Sequence, residues 1–157
     1  MRGRLPATLL LAAVVLASIA AARAEQPAAM CARIGTDDTL RPIPESLVPA
    51  VNAAFGMAMP ARLAVETTVL RCADGHVVVC TAGANLPCGR ANTDRTPGPG
   101  MVDWCRDHPA ADFIPAVATG HDTIYAWQCL EGVPHIVRQI DEVDARGFIA
   151  QYWKALR

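Results

Sequence analysis

Two short stretches, "LRCADGHVVV" (70–79) and "WQCLEGVPHIV" (127–137), decide the fold of this chain. Each runs from a strand-like segment into a cysteine, then two residues, a glycine and a second strand-like segment. Asp74-Gly75 is typical of a two-residue hairpin turn, and Glu131-Gly132 lies at the same place in the second stretch. The sequence therefore predicts an α+β domain in which two cysteine-bearing hairpins form one antiparallel sheet of at least four strands, with helices on one face.

Apolar residues at helical spacing predict two or three helices around these hairpins. The predicted helices cover residues 47–55, 101–108 and 148–156. Ser46 is a suitable N-cap for the first of them and Gly56 a natural stop. The Val- and Thr-rich segment 63–72 predicts a strand that leads into the first hairpin. A loose stretch is expected before Cys31, and an ordered loop is expected at 35–44.

The N-terminus has the three parts of a secretory signal. Two arginines open the chain, and an apolar run from 9 to 22 ends at the small-x-small pattern Ala22-Arg23-Ala24. The run is shorter than the roughly 20 residues that a membrane anchor needs. We therefore expect a signal peptide at 1–24, cleaved after Ala24, and a single disulfide-stabilised domain at 25–157 that is periplasmic or secreted.

The charge of the mature chain argues against a nucleic-acid partner. The sequence holds 14 Lys or Arg and 15 Asp or Glu. Without the three arginines of the predicted signal peptide the basic count falls to 11, and the net charge is −4. Nucleic-acid-binding domains carry a basic face, and no basic run is present here. No later segment has the length and apolarity of a membrane span. Lysine occurs once, at Lys154, which indicates the codon bias of a GC-rich bacterium.

Six cysteines lie after the predicted cleavage site, and an even count in an exported chain predicts three disulfides. There is no C-x-x-C pair, which leaves a thioredoxin-type centre unsupported and excludes a c-type haem, and no close-spaced set indicates zinc. We therefore expect no metal and no cofactor. Fifteen pairings are open, among which Cys88–Cys105 is preferred because it would close the flexible stretch between them. The cysteines are Cys31, Cys72, Cys80, Cys88, Cys105 and Cys129.

Catalytic residues are scarce in the mature chain. Ser46 is its one serine and has no G-x-S-x-G motif around it, which argues against a serine hydrolase. His121 and Asp122 are the catalytic candidates, because a His beside an Asp in a glycine-containing loop can act as a general base. The alternative is structural: Asp122 would cap local N–H groups while His121 packs or faces solvent.

The long Gly-, Pro- and Asn-rich segment 82–100 is the expected contact surface, together with the loop 119–123. A loop of this length in a compact domain is usually functional or tied down by a cross-link. The candidate binding residues are Asn85, Asn92 and His121 in these loops and Trp104 shortly after the first of them.

Three segments of the chain resemble a group of uncharacterised secreted multi-cysteine proteobacterial proteins, a group with no activity to carry over. These segments are "GANLPC" (83–88), "GHDTIYAWQC" (120–129) and "VDARGF" (143–148). "LRCADG" and "WQCLEG" are also similar to the Y-x-C-x-x-G pattern of periplasmic C-type lysozyme inhibitors, which implies an inhibitor function. The Ser- and Gly-containing inhibitory segment of that class is absent from this sequence.

These observations favour an exported, non-enzymatic binding or inhibitor module of the cell envelope, with another envelope protein as its partner. Two alternatives stay open. The first is a small periplasmic hydrolase that uses carboxylates with His121. The second is an accessory subunit of a periplasmic complex.

Overall fold

The computed structural model describes residues 26–83 and 86–156 of the chain. The predicted signal peptide and the candidate Asn85 lie outside these residues. The helices of the described part are α1 (Pro27–Ile34), α2 (Val48–Phe55), α3 (Ala61–Thr67), α4 (Pro99–Asp107) and α5 (Ala116–Thr119). The strands are β1 (Asp37–Pro42), β2 (Thr68–Ala73), β3 (His76–Thr81), β4 (Tyr125–Leu130), β5 (Val133–Gln139) and β6 (Lys154–Ala155). The α+β class with antiparallel pairing is confirmed. No described helix is long and apolar enough to cross a membrane.

Both predicted hairpins are present, and both turn where the sequence indicates. Asp74 and Glu131 have φ angles of 50° and 51°, and the glycine after each has a φ of 80°. Positive φ at both central residues is the type I′ turn, whose twist matches that of the flanking strands. β2 therefore pairs with β3, and β4 with β5.

The two hairpins lie in separate sheets, whereas the sequence predicted one. β1 pairs with β2 and β6 pairs with β3, which gives a four-stranded sheet in the order β1-β2-β3-β6. These added strands occupy both edges of the first hairpin. Beside β4, the free edge is taken by the segment 111–114: Ile114 N–H donates to Trp127, and Cys129 N–H donates to Ala111. Both edges of the first hairpin and the β4 edge of the second are therefore occupied, and the two hairpins cannot pair through them.

The prediction of a strand over 63–72 is wrong in its first half. Residues up to Thr67 form α3, and the strand begins at Thr68. An i,i+4 ion pair between Arg62 and Glu66 supports the helix, with 2.8 Å between Nε and Oε1. The Thr67 hydroxyl also donates to the Leu63 carbonyl oxygen. These local contacts are weak, and the burial of Ala64 in the core of the four-stranded sheet is what favours the helix over the weak strand preference of Val and Thr.

The start of α2 also differs from the prediction, while its end is confirmed. Ser46 lies in a 3₁₀ turn (Glu45–Leu47) and is not an N-cap, because α2 begins two residues later with Pro49 in its first turn. Gly56 closes the helix in the left-handed conformation, with a φ of 64°.

The predicted C-terminal helix is wrong. The segment forms a 3₁₀ turn (Ala150–Tyr152) and then β6, which pairs with Val78 and Val79 of β3. Phe148 and Trp153 are both buried, and their rings meet edge to face with centroids 5.4 Å apart. Both rings lie in one core cluster with Cys80 and Cys88, and the chain after residue 152 pairs with β3, so tertiary packing overrides the helical pattern.

The three predicted disulfides are confirmed, and the preferred Cys88–Cys105 pairing is wrong. Cys105 of α4 bonds Cys129 of β4, which leaves Cys88 to close a short loop on Cys80. The third bond joins Cys31 to Cys72. Cys31 lies on α1, so the expected loose N-terminal stretch is a helix that is covalently tied to β2. The predicted ordered loop at 35–44 contains β1.

Arg71 connects the first sheet to the C-terminal segment. Its side chain is 3% exposed and forms an ion pair with Asp144. Its guanidinium lies 4.1 Å from the Phe148 ring centroid and 4.6 Å from that of Trp153. Asp38 of β1 lies 3.7 Å from Arg71. A buried cation is thus held between two carboxylates and two aromatic faces.

Two exposed arginines complete this cluster around Asp38. Arg90 and Arg146 each place a guanidinium nitrogen 2.7 Å from Asp38 Oδ2. The hydrogen bond from Arg146 is the main cause that lowers the pKa of Asp38. Burial acts to raise the pKa of Asp144, but backbone N–H donors and the charge of Arg71 lower it overall. A backbone hydrogen bond from Thr39 lowers the pKa of Asp37 to about 2.

These depressed pKa values predict a loss of stability in acid. A carboxyl group whose folded pKa is lowered stabilises the protein above its unfolded pKa, near 3.8, and this contribution is lost as pH falls toward the folded pKa. We expect the urea midpoint to fall steadily from about pH 5 to about pH 2. Asp38→Asn should flatten this dependence, whereas Asp103→Asn on the exposed face of α4 should leave it unchanged. A urea midpoint that stays constant over this pH range would show that these carboxylates do not stabilise the folded state.

Candidate functional site

The structure brings the two predicted contact loops together at one point. The N–H of Asn92 donates to the carbonyl oxygen of Asp122 at 2.7 Å, and the N–H of Ile124 donates back to Asn92 at 3.2 Å. His121 is exposed beside this junction. Trp104 lies on α4 and stacks on His108, with ring centroids 4.1 Å apart. Of the four candidate contact residues, Asn92 and His121 are thus neighbours in the two joined loops.

The catalytic candidates have no side-chain partner among the described residues. No hydrogen bond or ion pair joins the side chain of His121 or Asp122 to another described residue, and neither lines any of the five cavities described on this part of the chain. A Cβ placed on Gly120 would lie 2.8 Å from Asp122 Oδ1, so the carboxylate packs over its own loop. No group of three His, Cys, Asp or Glu side chains in 26–83 and 86–156 is arranged to hold a metal ion.

An apolar groove with a volume of about 650 Å³ is the feature best suited to bind a ligand. Such a volume falls within the range of about 300–1,000 Å³ typical of small-molecule sites. Its large apolar side chains come from the end of α2, the following connection, α3 and the loop after β3. These side chains are Phe55, Met57, Met59, Leu63 and Leu86. Hereafter this cavity is called the methionine groove.

Three of these side chains are exposed to solvent. Met57 is 39% exposed, Leu86 is 43% exposed and Leu63 is 45% exposed. Isolated exposed apolar residues are common on protein surfaces, but several that line one concavity mark a binding surface. We therefore take the methionine groove as the candidate site.

Local hydrogen bonds hold the connection that carries the two methionines. The Asn52 side chain bonds the backbone of Met59 twice: its Nδ2 donates to the carbonyl oxygen at 3.0 Å, and its Oδ1 accepts from the N–H at 3.1 Å. Gly56 supplies the left-handed turn that redirects the chain out of α2. These hydrogen bonds therefore hold this wall of the groove in a defined position.

The opposite wall is held by a hydrogen-bonded loop. Ala82 N–H donates to Thr67 at 2.8 Å, and Gly83 and Leu86 exchange two backbone hydrogen bonds of 3.3 Å. The Cys80–Cys88 disulfide joins the two ends of this loop. Leu86 is thus presented to the groove by a cross-linked segment, which agrees with the expectation that the long loop is tied down.

The polar lining of the groove comes mainly from the segment before and within β6. It comprises Thr67, Thr81, Gln151, Tyr152 and Lys154. Burial raises the pKa of Tyr152, and the nearby charge of Asp141 adds to the effect, so its hydroxyl stays protonated and can donate. Lys154 is the only charged residue in the described lining. It forms no ion pair within the described residues.

A second set of exposed apolar side chains lies on the hairpin β4–β5 and is less suited to binding. Leu130 and Val133 line a cavity of about 760 Å³ that also contains Asp112, Glu131 and His135, so its lining is mixed. The outer strand β5 contains Pro134, and its pairing with β4 is irregular opposite Ala126 and Trp127. Proline and bulges protect a sheet edge from pairing with other chains.

Sequence reasoning missed the methionine groove because no motif marks it. Its walls come from four separated segments, and none of them shows a pattern beyond ordinary amphipathicity. The one available signal was Met57 and Met59 in "GMAMP" (56–60), two large apolar side chains in a short connection. The Val- and Thr-rich pattern predicts Leu63 in a strand, whereas the structure places it on an exposed face of α3.

Comparisons with protein-family models, with curated proteins and with solved structures find no match to this chain. The fold and the groove by themselves define the class: an α+β domain cross-linked by three disulfides that carries an open apolar groove.

Proposed function

We propose that this protein is an exported, non-enzymatic binding module of the cell envelope that holds an apolar part of its ligand in the methionine groove. The observation that carries the proposal is the groove itself. Large apolar side chains are left open to solvent along a cavity whose walls are held in place by hydrogen bonds and a disulfide. Leaving these side chains exposed has a cost that binding would remove.

Two further features support export to the periplasm or the medium. All six cysteines are paired, and disulfides persist in oxidising compartments. The segment 1–24 has the composition of a signal peptide.

The non-enzymatic part of the proposal is supported by the surroundings of the catalytic candidates. In many enzymes a hydrogen bond from a further side chain orients the catalytic base. His121 and Asp122 have no such side-chain partner in the described part of the chain. The hydrolase and accessory-subunit alternatives lack a feature comparable to the groove among the described residues, so the binding module is preferred.

The proposal predicts saturable binding of an uncharged apolar dye, such as N-phenyl-1-naphthylamine, whose fluorescence rises in apolar surroundings. Leu63→Asp should weaken this binding at least about tenfold, because it places a carboxylate in the apolar lining. Val102→Asp is the matched control: it puts the same charge on an exposed helix position, 48% accessible and outside the groove lining. It should change the dissociation constant by less than about twofold.

A fluorescence titration of the three proteins measures these constants. Circular dichroism and the thermal midpoint should be alike for the two variants, so that a lost site is not confused with lost folding. The proposal fails if the wild type shows no saturable binding, or if both variants bind the dye as the wild type does.

A further inference from the structure

We propose that the ligand of the methionine groove is a single-chain amphiphile with one terminal carboxylate, a fatty acid, whose carboxylate pairs with Lys154. This inference rests on the proposed function and specifies the ligand. The acyl chain would lie against Met57, Met59 and Leu63, and the carboxylate at the edge formed by the segment 151–154.

The apolar wall suits a flexible chain better than a rigid ring system. Met57 and Met59 have unbranched side chains with three rotatable bonds, and methionine is common on surfaces that adapt to ligands of variable shape. Leu63 and Leu86 add branched apolar surface from two other segments. The groove is open to solvent along part of its length, so a long chain can enter from the side.

The charge pattern calls for a ligand with one negative charge. Lys154 is the only charged group in the described lining, and it also borders a neighbouring cavity beside Ala155 and Leu156. None of the ion pairs among the described residues includes it. The nearest acid identified by its effect on the lining is Asp141, which accepts a hydrogen bond from the Gln151 amide and lies outside the lining. A lone ammonium acts as a point charge, and no arginine lines the described part of the groove to form a bidentate pair with a phosphate.

The other polar groups at this edge can bind the carboxylate as neutral hydrogen-bond donors. The Tyr152 hydroxyl stays protonated, and the Gln151 amide is exposed on the same short segment. The Tyr152 hydroxyl and the second N–H of the Gln151 amide, whose first N–H donates to Asp141, can each donate a hydrogen bond to a carboxylate oxygen. An apolar chain with an uncharged end would gain affinity from contact with the apolar wall, but none from pairing with Lys154.

The test is a calorimetric titration of the disulfide-bonded protein with octanoate, decanoate and dodecanoate below their micellar concentrations, and with dodecanol. Affinity should increase about fourfold for each methylene that becomes buried. Dodecanoate should bind more tightly than dodecanol. Lys154→Gln should weaken dodecanoate about fivefold and leave dodecanol unchanged.

The matched control for the charge is Arg62→Gln. Arg62 lies on α3 outside the groove lining, and its side chain is 89% exposed. Removing its charge changes the net charge equally, so the affinity for dodecanoate should stay the same. Equal losses in Lys154→Gln and Arg62→Gln would show a general charge effect and overturn the inference.

The remaining outcomes separate this inference from the proposed function. If the neutral dye binds but the carboxylates do not, the fatty-acid assignment fails and the groove stays a binding site for another ligand, such as an apolar segment of an envelope protein. If Lys154→Gln weakens dodecanol and dodecanoate alike, Lys154 has a structural role and the inference also fails. If neither dye nor acid binds, both proposals fail.

Discussion

Arg71→Met is expected to lower the free energy of unfolding by about 3 kcal/mol, because it removes the buried cation of a partly buried ion pair. Methionine preserves much of the side-chain length between the Phe148 and Trp153 rings. The substitution removes the cation with which Asp144 forms its ion pair. The stacking of the guanidinium on both rings is lost as well. Urea denaturation followed by tryptophan fluorescence measures the change.

The matched control is Arg62→Met, which removes an exposed pair with Glu66. Exposed i,i+4 pairs contribute about 0.3–0.5 kcal/mol, so this variant should stay close to the wild type. The double variant Arg71→Met/Asp144→Asn should lose less than the sum of its single changes, because the two side chains act on each other. A loss below about 1 kcal/mol for Arg71→Met would mean that the cluster contributes little to stability.

Removing the Cys31–Cys72 disulfide should have the largest effect of any cross-link. The two cysteines are 41 residues apart in sequence, compared with 24 for Cys105–Cys129. In the chain-entropy model the longest closed loop gives the largest constraint on the unfolded chain, about 4 kcal/mol for this bond. We expect the double substitution Cys31→Ala/Cys72→Ala to lower the free energy of unfolding by that amount, measured by urea denaturation.

The Cys80–Cys88 bond provides the matched comparison, because its sequence separation is 8. The same model gives about 2.6 kcal/mol for its removal by paired alanine substitutions. The order of the two losses is therefore the test. If removing the short loop costs more than removing the long one, the entropic account of these disulfides is wrong for this protein.

Turn chemistry made the hairpins predictable. Asp74-Gly75 and Glu131-Gly132 take the positive φ angles that two-residue turns require, so the local sequence and the structure agree. The region 63–67 was mispredicted because Val and Thr have only a weak strand preference. In the structure the helix buries Ala64 in the core, a tertiary contact that the local pattern does not specify.

The C-terminal segment shows the limit of periodicity more clearly. Phe148 and Trp153 lie five residues apart, and apolar residues between and after them fit a helical face. Both rings instead pack on Arg71, a buried cation on a distant strand. Periodicity indicates which side chains avoid water, but not which partner buries them.

The sequence alone determined the class of this protein and its cross-linking. The even number of cysteines indicates three disulfides, and two glycine-containing turns indicate two antiparallel hairpins. The first inference depends on composition and the second on local turn chemistry. Tertiary structure decided how the cysteines pair, why the hairpins lie in separate sheets, and where the methionine groove forms. Those features depend on contacts between segments far apart in the chain, and the pattern of any one segment does not specify its distant partner.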